Sequence, residues 1–194
     1  MSTIKKFLNL IFIDGLSGMA LGLFSTLIIG TILKQIADLI GGDFGYYLGV
    51  FAVIAQRLTG AGIGIGVAYK YKSSTYVTLS AAAAGMIGAY ATTIISGSIL
   101  SDGALVYSGP GDPLSAFIAA LAGIAIGSLP AGKTKLDLLI TPAVTIITGG
   151  AAGIIVGPPV SPLKTQLGGV IKSGTLFHPL VPGSVVFLIM GVGL

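Results

Sequence analysis

The sequence predicts an all-α polytopic membrane protein, a bundle of five to six transmembrane helices with a broken or re-entrant segment. Three features of the chain carry that expectation. Charged residues make up only 8% and hydrophobic ones 54%, whereas an ordinary soluble domain is about 25% charged. The mean hydropathy is +1.01. A soluble fold of 194 residues cannot hide so much apolar side chain, because the buried fraction rises only slowly with mass. Uncharged stretches of bilayer length recur between short polar links. Finally, Lys and Arg alternate along those links: two at the N-terminus, then one, two, none, two and two. By the positive-inside rule this places the N-terminus, Lys70/Lys72 and Lys133/Lys135 in the cytoplasm and the loop around Asp102 outside. The expectation is therefore one multi-pass membrane domain over residues 1–194.

Residues 1–9, with Lys5 and Lys6, read as a short amphipathic start. Asp14 and the length of the apolar run behind it argue against a cleaved signal peptide. The first span is 15–33, where Gly18 and Gly22, four apart, bare one face for close helix packing. The second, 44–68, carries Arg57 in mid-course and then the alternating run Gly60-Ala-Gly-Ile-Gly-Ile-Gly66. Each Gly costs about 1 kcal/mol relative to Ala in a helix, so the run predicts either a break or a very close contact. Residues 73–101 are uncharged and read as a third helix. The fourth, 113–129, has Asp112 as N-cap and Pro113 at its first position. A fifth span covers 136–156, with Gly149, Gly153 and Gly157 on one face, and Pro158, Pro159 and Pro162 are expected to stop it. Residues 161–174 are too short to span and read as interfacial or re-entrant. A sixth apolar stretch begins at 180.

Composition also excludes several functions. The net charge of +4 comes from lysines scattered between spans, not from a basic patch, so no nucleic acid is expected. There is no Cys, no Glu and a single His, His178. Disulfides, thiolate metal sites and a phosphocysteine are excluded, and no metal, cofactor or catalytic residue is expected. His178, beside Pro179, reads as structural. The tyrosines at 46, 47, 69, 71, 76 and 107 cluster near span ends, as an interfacial belt does.

The polar residues left over are the candidate site. Arg57 near mid-membrane would be worth at least about 2.5 kcal/mol of insertion penalty. It then faces protein or a wet cavity, with Asp14, Asp112 or Asp137 as partner. Alternatively the span is shorter and Arg57 snorkels to an interface. Asp14 either sits at headgroup level or lines a cavity. Asp112 is a helix cap, or a ligand at a helix N-terminus that meets a solute. Gly127-Ser-Leu-Pro-Ala-Gly-Lys-Thr134 matches the phosphate-loop pattern. It follows an Ala/Gly-rich apolar run and not a strand, so a helix end with a basic turn is the plainer reading. In a third reading Lys133, Thr134 and Asp137 touch a polar solute or partner at the membrane face.

Four segments carry a family resemblance: Asp14-Gly-Leu-Ser-Gly-Met-Ala-Leu-Gly-Leu-Phe-Ser-Thr-Leu-Ile-Ile-Gly30, Gly109-Pro-Gly-Asp-Pro-Leu114, Gly132-Lys-Thr-Lys-Leu-Asp137 and Gly157-Pro-Pro159. In order and over nearly the whole chain, they resemble the enzyme IIC permeases of the bacterial phosphotransferase system. That resemblance implies a polytopic inner-membrane protein, of about ten spans in many members, that moves a sugar-like solute and pairs with itself. It also implies that separate phosphocarrier proteins act as partners. The chain departs from the pattern in ending near a sixth span, like an incomplete first half, and in lacking the Glu that well-studied sugar permeases use beside a His. The expected function is a permease-like subunit binding a small polar solute at Asp14, Arg57, Asp112, Lys133, Thr134 and Asp137. The alternative is a lipid- or fatty-acid-binding membrane protein without transport, which a mainly apolar interior would suit.

Overall fold

Glycine decides where the helices touch. The computed structural model describes residues 10–133 and 135–177, and its helices are α1 (Ile11–Ile40), α2 (Gly42–Arg57), α3 (Thr59–Lys70), α4 (Thr75–Ala89), the short α5 (Ala91–Ile95), α6 (Pro113–Gly127) and α7 (Asp137–Phe177). Two strands, β1 (Leu100–Ser101) and β2 (Ala104–Leu105), pair antiparallel between α5 and α6.

The alternating run 60–66 stays helical throughout α3. At 3.6 residues per turn, a step of two residues rotates about 200°, so Gly60 and Gly64 share one face and Gly62 and Gly66 the opposite one. Both faces are filled by backbone. A Cβ on Gly60 would stand 2.7 Å from the Gly85 carbonyl oxygen of α4. On the other side, a Cβ on Gly18 of α1 would stand 2.6 Å from the Gly66 carbonyl oxygen. Thus α3 is clamped between α1 and α4, and the expected close contact is real on two sides at once. The expected break is real too, but it precedes the glycines: α2 and α3 meet at Leu58 with a 54° bend.

Helix α4 is the hub. Its neighbours are α3, α6 and α7, and it approaches α7 where a Cβ on Gly153 would lie 2.8 Å from the Gly88 Cα. Gly149 and Gly157 extend the same face of α7 against Ala84 and Ala91, as their four-residue spacing predicts. Ile63, Val67, Val77, Tyr90, Phe117 and Ile124 fill the core between α3, α4 and α6. The second half of α1 packs instead on α2. The chain reverses between them at Gly41 and Gly42, whose φ values of +64° and +62° lie where only glycine is unstrained.

Three elements differ from expectation. Residues 73–101 are not one helix: α4 ends at Ala89, α5 follows for one turn, and Asp102-Gly103, both at positive φ, turn the β1–β2 hairpin. Hydroxyl groups compete for the backbone there, as Thr93 Oγ1 donates to the Tyr90 carbonyl at 2.7 Å and Ser96 Oγ to the Thr93 carbonyl at 3.2 Å. Next, α7 continues past Pro158, Pro159 and Pro162 to Phe177. Each proline removes one ladder donor, which membrane helices tolerate where neighbours satisfy the freed carbonyl. The amphipathic segment 161–174 is therefore part of α7 over its whole length. Third, among the described residues only α1 and the Asp137–Pro159 part of α7 are single helices long and apolar enough to span a membrane, and the bent α2–α3 pair makes a third candidate. Helices α4 and α6, with 15 residues each, are about 22 Å long, short of a hydrocarbon core of about 30 Å. Residues 1–9 and the stretch from 180, like His178, lie outside the described residues.

Candidate functional site

In an apolar bundle, every helix interruption frees backbone groups that must find partners inside the protein. Four interruptions here fall at one level. The first is a π-turn, Phe24–Ile28, within α1. The second is the α2–α3 bend. Thr59, fully buried at that bend, donates to the Gln56 carbonyl at 2.6 Å, and Thr26 of the π-turn stands 3.5 Å from the Thr59 hydroxyl. Gln56 Nε2 reaches across to Thr31 Oγ1 at 3.1 Å. The third is Tyr90, between α4 and α5. Its buried hydroxyl donates to the Gly109 carbonyl at 2.6 Å, with the Arg57 carbonyl as a second acceptor at 3.2 Å. Its ring lies against Tyr107, centroids 4.8 Å apart.

The fourth is the abrupt start of α6. Gly109 and Gly111, at φ +71° and +77°, fold the turn so that the Asp112 amide donates to the Ala89 carbonyl at 2.7 Å. The buried Asp112 carboxylate then accepts from Leu114 N at 3.1 Å and from Ser115 Oγ at 2.7 Å. The capping role read from the sequence is in place. Arg57 borders this layer. Its side chain is exposed and lines a groove of about 690 Å³ between α1 and α2. In the same groove Lys34 and Asp38 sit 3.7 Å apart, the one ion pair among the described residues.

Five of the six predicted site residues therefore fall into two groups. Arg57 and Asp112 flank the layer of interruptions: the Arg57 carbonyl accepts from Tyr90, and the Asp112 amide donates to the Ala89 carbonyl. Asp14, Lys133 and Asp137 lie at the opposite end of α4, near the α3–α4 and α6–α7 turns. There Asp14 stands beside Tyr71; burial first, and the Asp14 charge second, push the Tyr71 hydroxyl up to about 12. Lys133 is exposed in its turn, its amide donating to Pro130 at 3.0 Å. Asp137 opens α7 and accepts from the buried Thr141 hydroxyl. Thr134 lies outside the described residues. The phosphate-loop pattern has no strand before it: its first residue, Gly127, ends α6, and Pro130–Lys133 is a turn, so the context a nucleotide loop requires is missing.

The residues not anticipated are Tyr90, Thr59 and Thr26. Tyr90 had a readable signal: it is a lone phenol in mid-run among alanines and glycines, away from any span end, and a buried Tyr hydroxyl needs a partner. Thr59, next to Arg57, had none beyond its polarity.

An α-helical bundle with apolar spans, a bent span and helix ends meeting in an internal polar layer defines the class: an integral membrane protein built from discontinuous helices. Within that class, the chain belongs to the family described as phosphotransferase system, EIIC, whose model it matches over residues 13–194. No curated protein and no solved structure matches it. Membership carries association with a membrane and work alongside other components of the phosphotransferase system.

Proposed function

We propose that this chain is a permease-like subunit that binds a small polar, sugar-like solute between its helices and carries it across the bacterial inner membrane. The observation that supports this best is the coincidence of the α2–α3 bend, the Tyr90 break and the Asp112 helix start at one level. In transporters, discontinuous helices put solute sites where their ends meet. Arg57 and Asp112 offer charged donors and acceptors at that level, the kind of groups that match sugar hydroxyls. Asp14, Lys133, Thr134 and Asp137, at the lysine-rich end, contact the solute as it leaves. In this reading the lysine-rich end and the N-terminus face the cytoplasm, five to six segments cross the bilayer, and the protein pairs with itself. Phosphoryl donors are separate proteins, because this chain has no Cys and its single His, His178, sits beside Pro179 as a structural residue does.

Uptake of radiolabelled hexoses, hexitols and pentoses by proteoliposomes tests the reading. Saturable uptake or binding that falls at least tenfold in Arg57→Gln supports it. No flux and no saturable binding of any of these solutes overturns it.

A further inference from the structure

A second place on the molecule has the chemistry of a binding site and no part in the layer just described. Between the α3–α4 turn and the end of α6 lies a hollow of about 440 Å³, lined by Tyr71, Lys72, Ser73, Ser74 and Ser128. A second hollow of about 430 Å³ adjoins it, sharing Ser74 and Ala131. Among the described residues, the only charged side chain lining the first is Lys72. Around it stand hydroxyl groups. Ser74 Oγ accepts from Val77 N, which leaves its own proton available to a ligand oxygen.

Lys72 is held there against its backbone preference. Its φ is +52°, a left-handed conformation that an L residue with a long side chain rarely adopts. The turn that ends α3 requires it: Ser73 N reaches back to the Ala68 carbonyl and Lys72 N to the Tyr69 carbonyl, each at 3.0 Å. Glycine is the usual residue at such a position, yet the chain, with 31 glycines, has a lysine here. The surrounding charges favour an anion. Lys70, Lys133 and Lys135 lie on the two turns that frame the hollows, against Asp14 beside Tyr71 and Asp137 in the second hollow. Asp137 is already engaged by Thr141.

We infer that the Lys72 hollow binds a phosphate group, with the ammonium as counter-charge and the Ser74 hydroxyl as donor; the Ser128 hydroxyl is already given to the Ile124 carbonyl. The phosphate belongs either to a free phosphate ester or to a lipid headgroup. This site stands whether or not the chain transports sugar.

The test uses the full chain in nanodiscs at constant ionic strength. In phosphatidylcholine discs, line broadening in the phosphorus NMR of inorganic phosphate and of glucose 6-phosphate is titrated against protein. In discs doped with phosphatidylglycerol, enrichment of that lipid around the protein is measured by native mass spectrometry. Lys72→Gly is the decisive variant, because it suits the left-handed turn and keeps the fold. It is expected to melt no lower than wild type while losing at least tenfold in binding. Lys70→Gln, outside the hollow, is expected to lose no more than threefold. Binding of the soluble phosphates identifies a free ester as ligand, and phosphatidylglycerol enrichment alone identifies a headgroup. No binding in either arm, unchanged binding in Lys72→Gly, or an equal loss in Lys70→Gln overturns the inference.

Discussion

The hydroxyl of Tyr90 donates to the carbonyl oxygen of Gly109 across 2.6 Å, and the carbonyl oxygen of Arg57 lies 3.2 Å from the same group. One buried side chain thus joins three places where a helix stops: the end of α2, the end of α4 and the turn that starts α6. The two acceptors belong to exposed residues, and the buried phenol ties them to the core.

Tyr90→Phe isolates that role, since the ring keeps its packing against Tyr107 while the donor disappears. The Gly109 carbonyl can then meet water, so the loss is the net worth of one hydrogen bond, about 0.5–1.5 kcal/mol. For a chain of this size each kcal/mol lowers Tm by about 2–4 °C. A thermal melt in detergent is expected to show that loss, together with faster proteolysis of the 96–111 loop. An unchanged melt and unchanged cleavage would mean that the Gly109 carbonyl finds another donor.

The glycine contacts make a sharper contrast. A Cβ on Gly64 would run into the Ala81 carbonyl, whereas one on Gly49 would meet only the Ala37 Cβ at 3.8 Å. Gly64→Ala must push α3 from α4, and overpacking of this kind costs about 1–3 kcal/mol. Gly49→Ala is at an ordinary contact distance and gains helix propensity of up to about 1 kcal/mol. Melting curves of the two proteins should move in opposite directions. Equal shifts would show that the α3–α4 contact is not tight.

The same glycines show how much was legible in the sequence. Spacing of four announced the faces at Gly18/Gly22 and Gly149/Gly153/Gly157, because a helix repeats nearly every fourth residue whatever its neighbours. The run 60–66 announced either a break or a contact. Only the three-dimensional partners, α1 on one side and α4 on the other, decide that it is a contact, with the bend pushed back to Leu58. Asp112-Pro113 announced the start of α6 because capping is local chemistry. The end of α4 was less legible. Hydropathy runs on through Tyr90, while the last carbonyl of the helix, Ala89, is taken by the Asp112 amide from far along the chain. Asp102-Gly103 is itself a strong hairpin signal, outweighed in a reading by span length. Residue type picks out polar candidates but not their grouping, since sequence cannot show that Arg57 and Asp112 lie at one end of the bundle and Asp137 at the other.

Tyr71 offers a prediction in pH. Burial, and then the Asp14 charge, raise its hydroxyl to about 12, above the unfolded value of about 10. The folded protein therefore keeps a proton that the unfolded chain releases between those values. Stability from this group is whole below pH 10 and is lost as the pH rises through 12. Ultraviolet titration at the tyrosinate band should find a late-titrating component that loses one tyrosine in Tyr71→Phe. Asp14→Asn should bring that late step earlier, though not to the unfolded value, because burial persists. A Tyr71 that titrates with the exposed tyrosines would show that neither burial nor Asp14 acts on it.

Asp112 separates the cap from the proposed solute contact. Its carboxylate accepts from Leu114 N and Ser115 Oγ. Asp112→Ala removes both acceptors and is expected to destabilise the protein by about 0.5–2 kcal/mol, as loss of an N-cap does. Asp112→Asn retains a side-chain oxygen for Leu114 N, so its melt should stay close to wild type. If the carboxylate charge also meets the solute, Asp112→Asn should bind or take up solute at least tenfold more weakly despite that stability. Asp112→Ala would then lose both properties. Should the Asn variant transport as wild type does, Asp112 serves as a cap alone, and Arg57 becomes the charged group on which solute recognition at this layer depends.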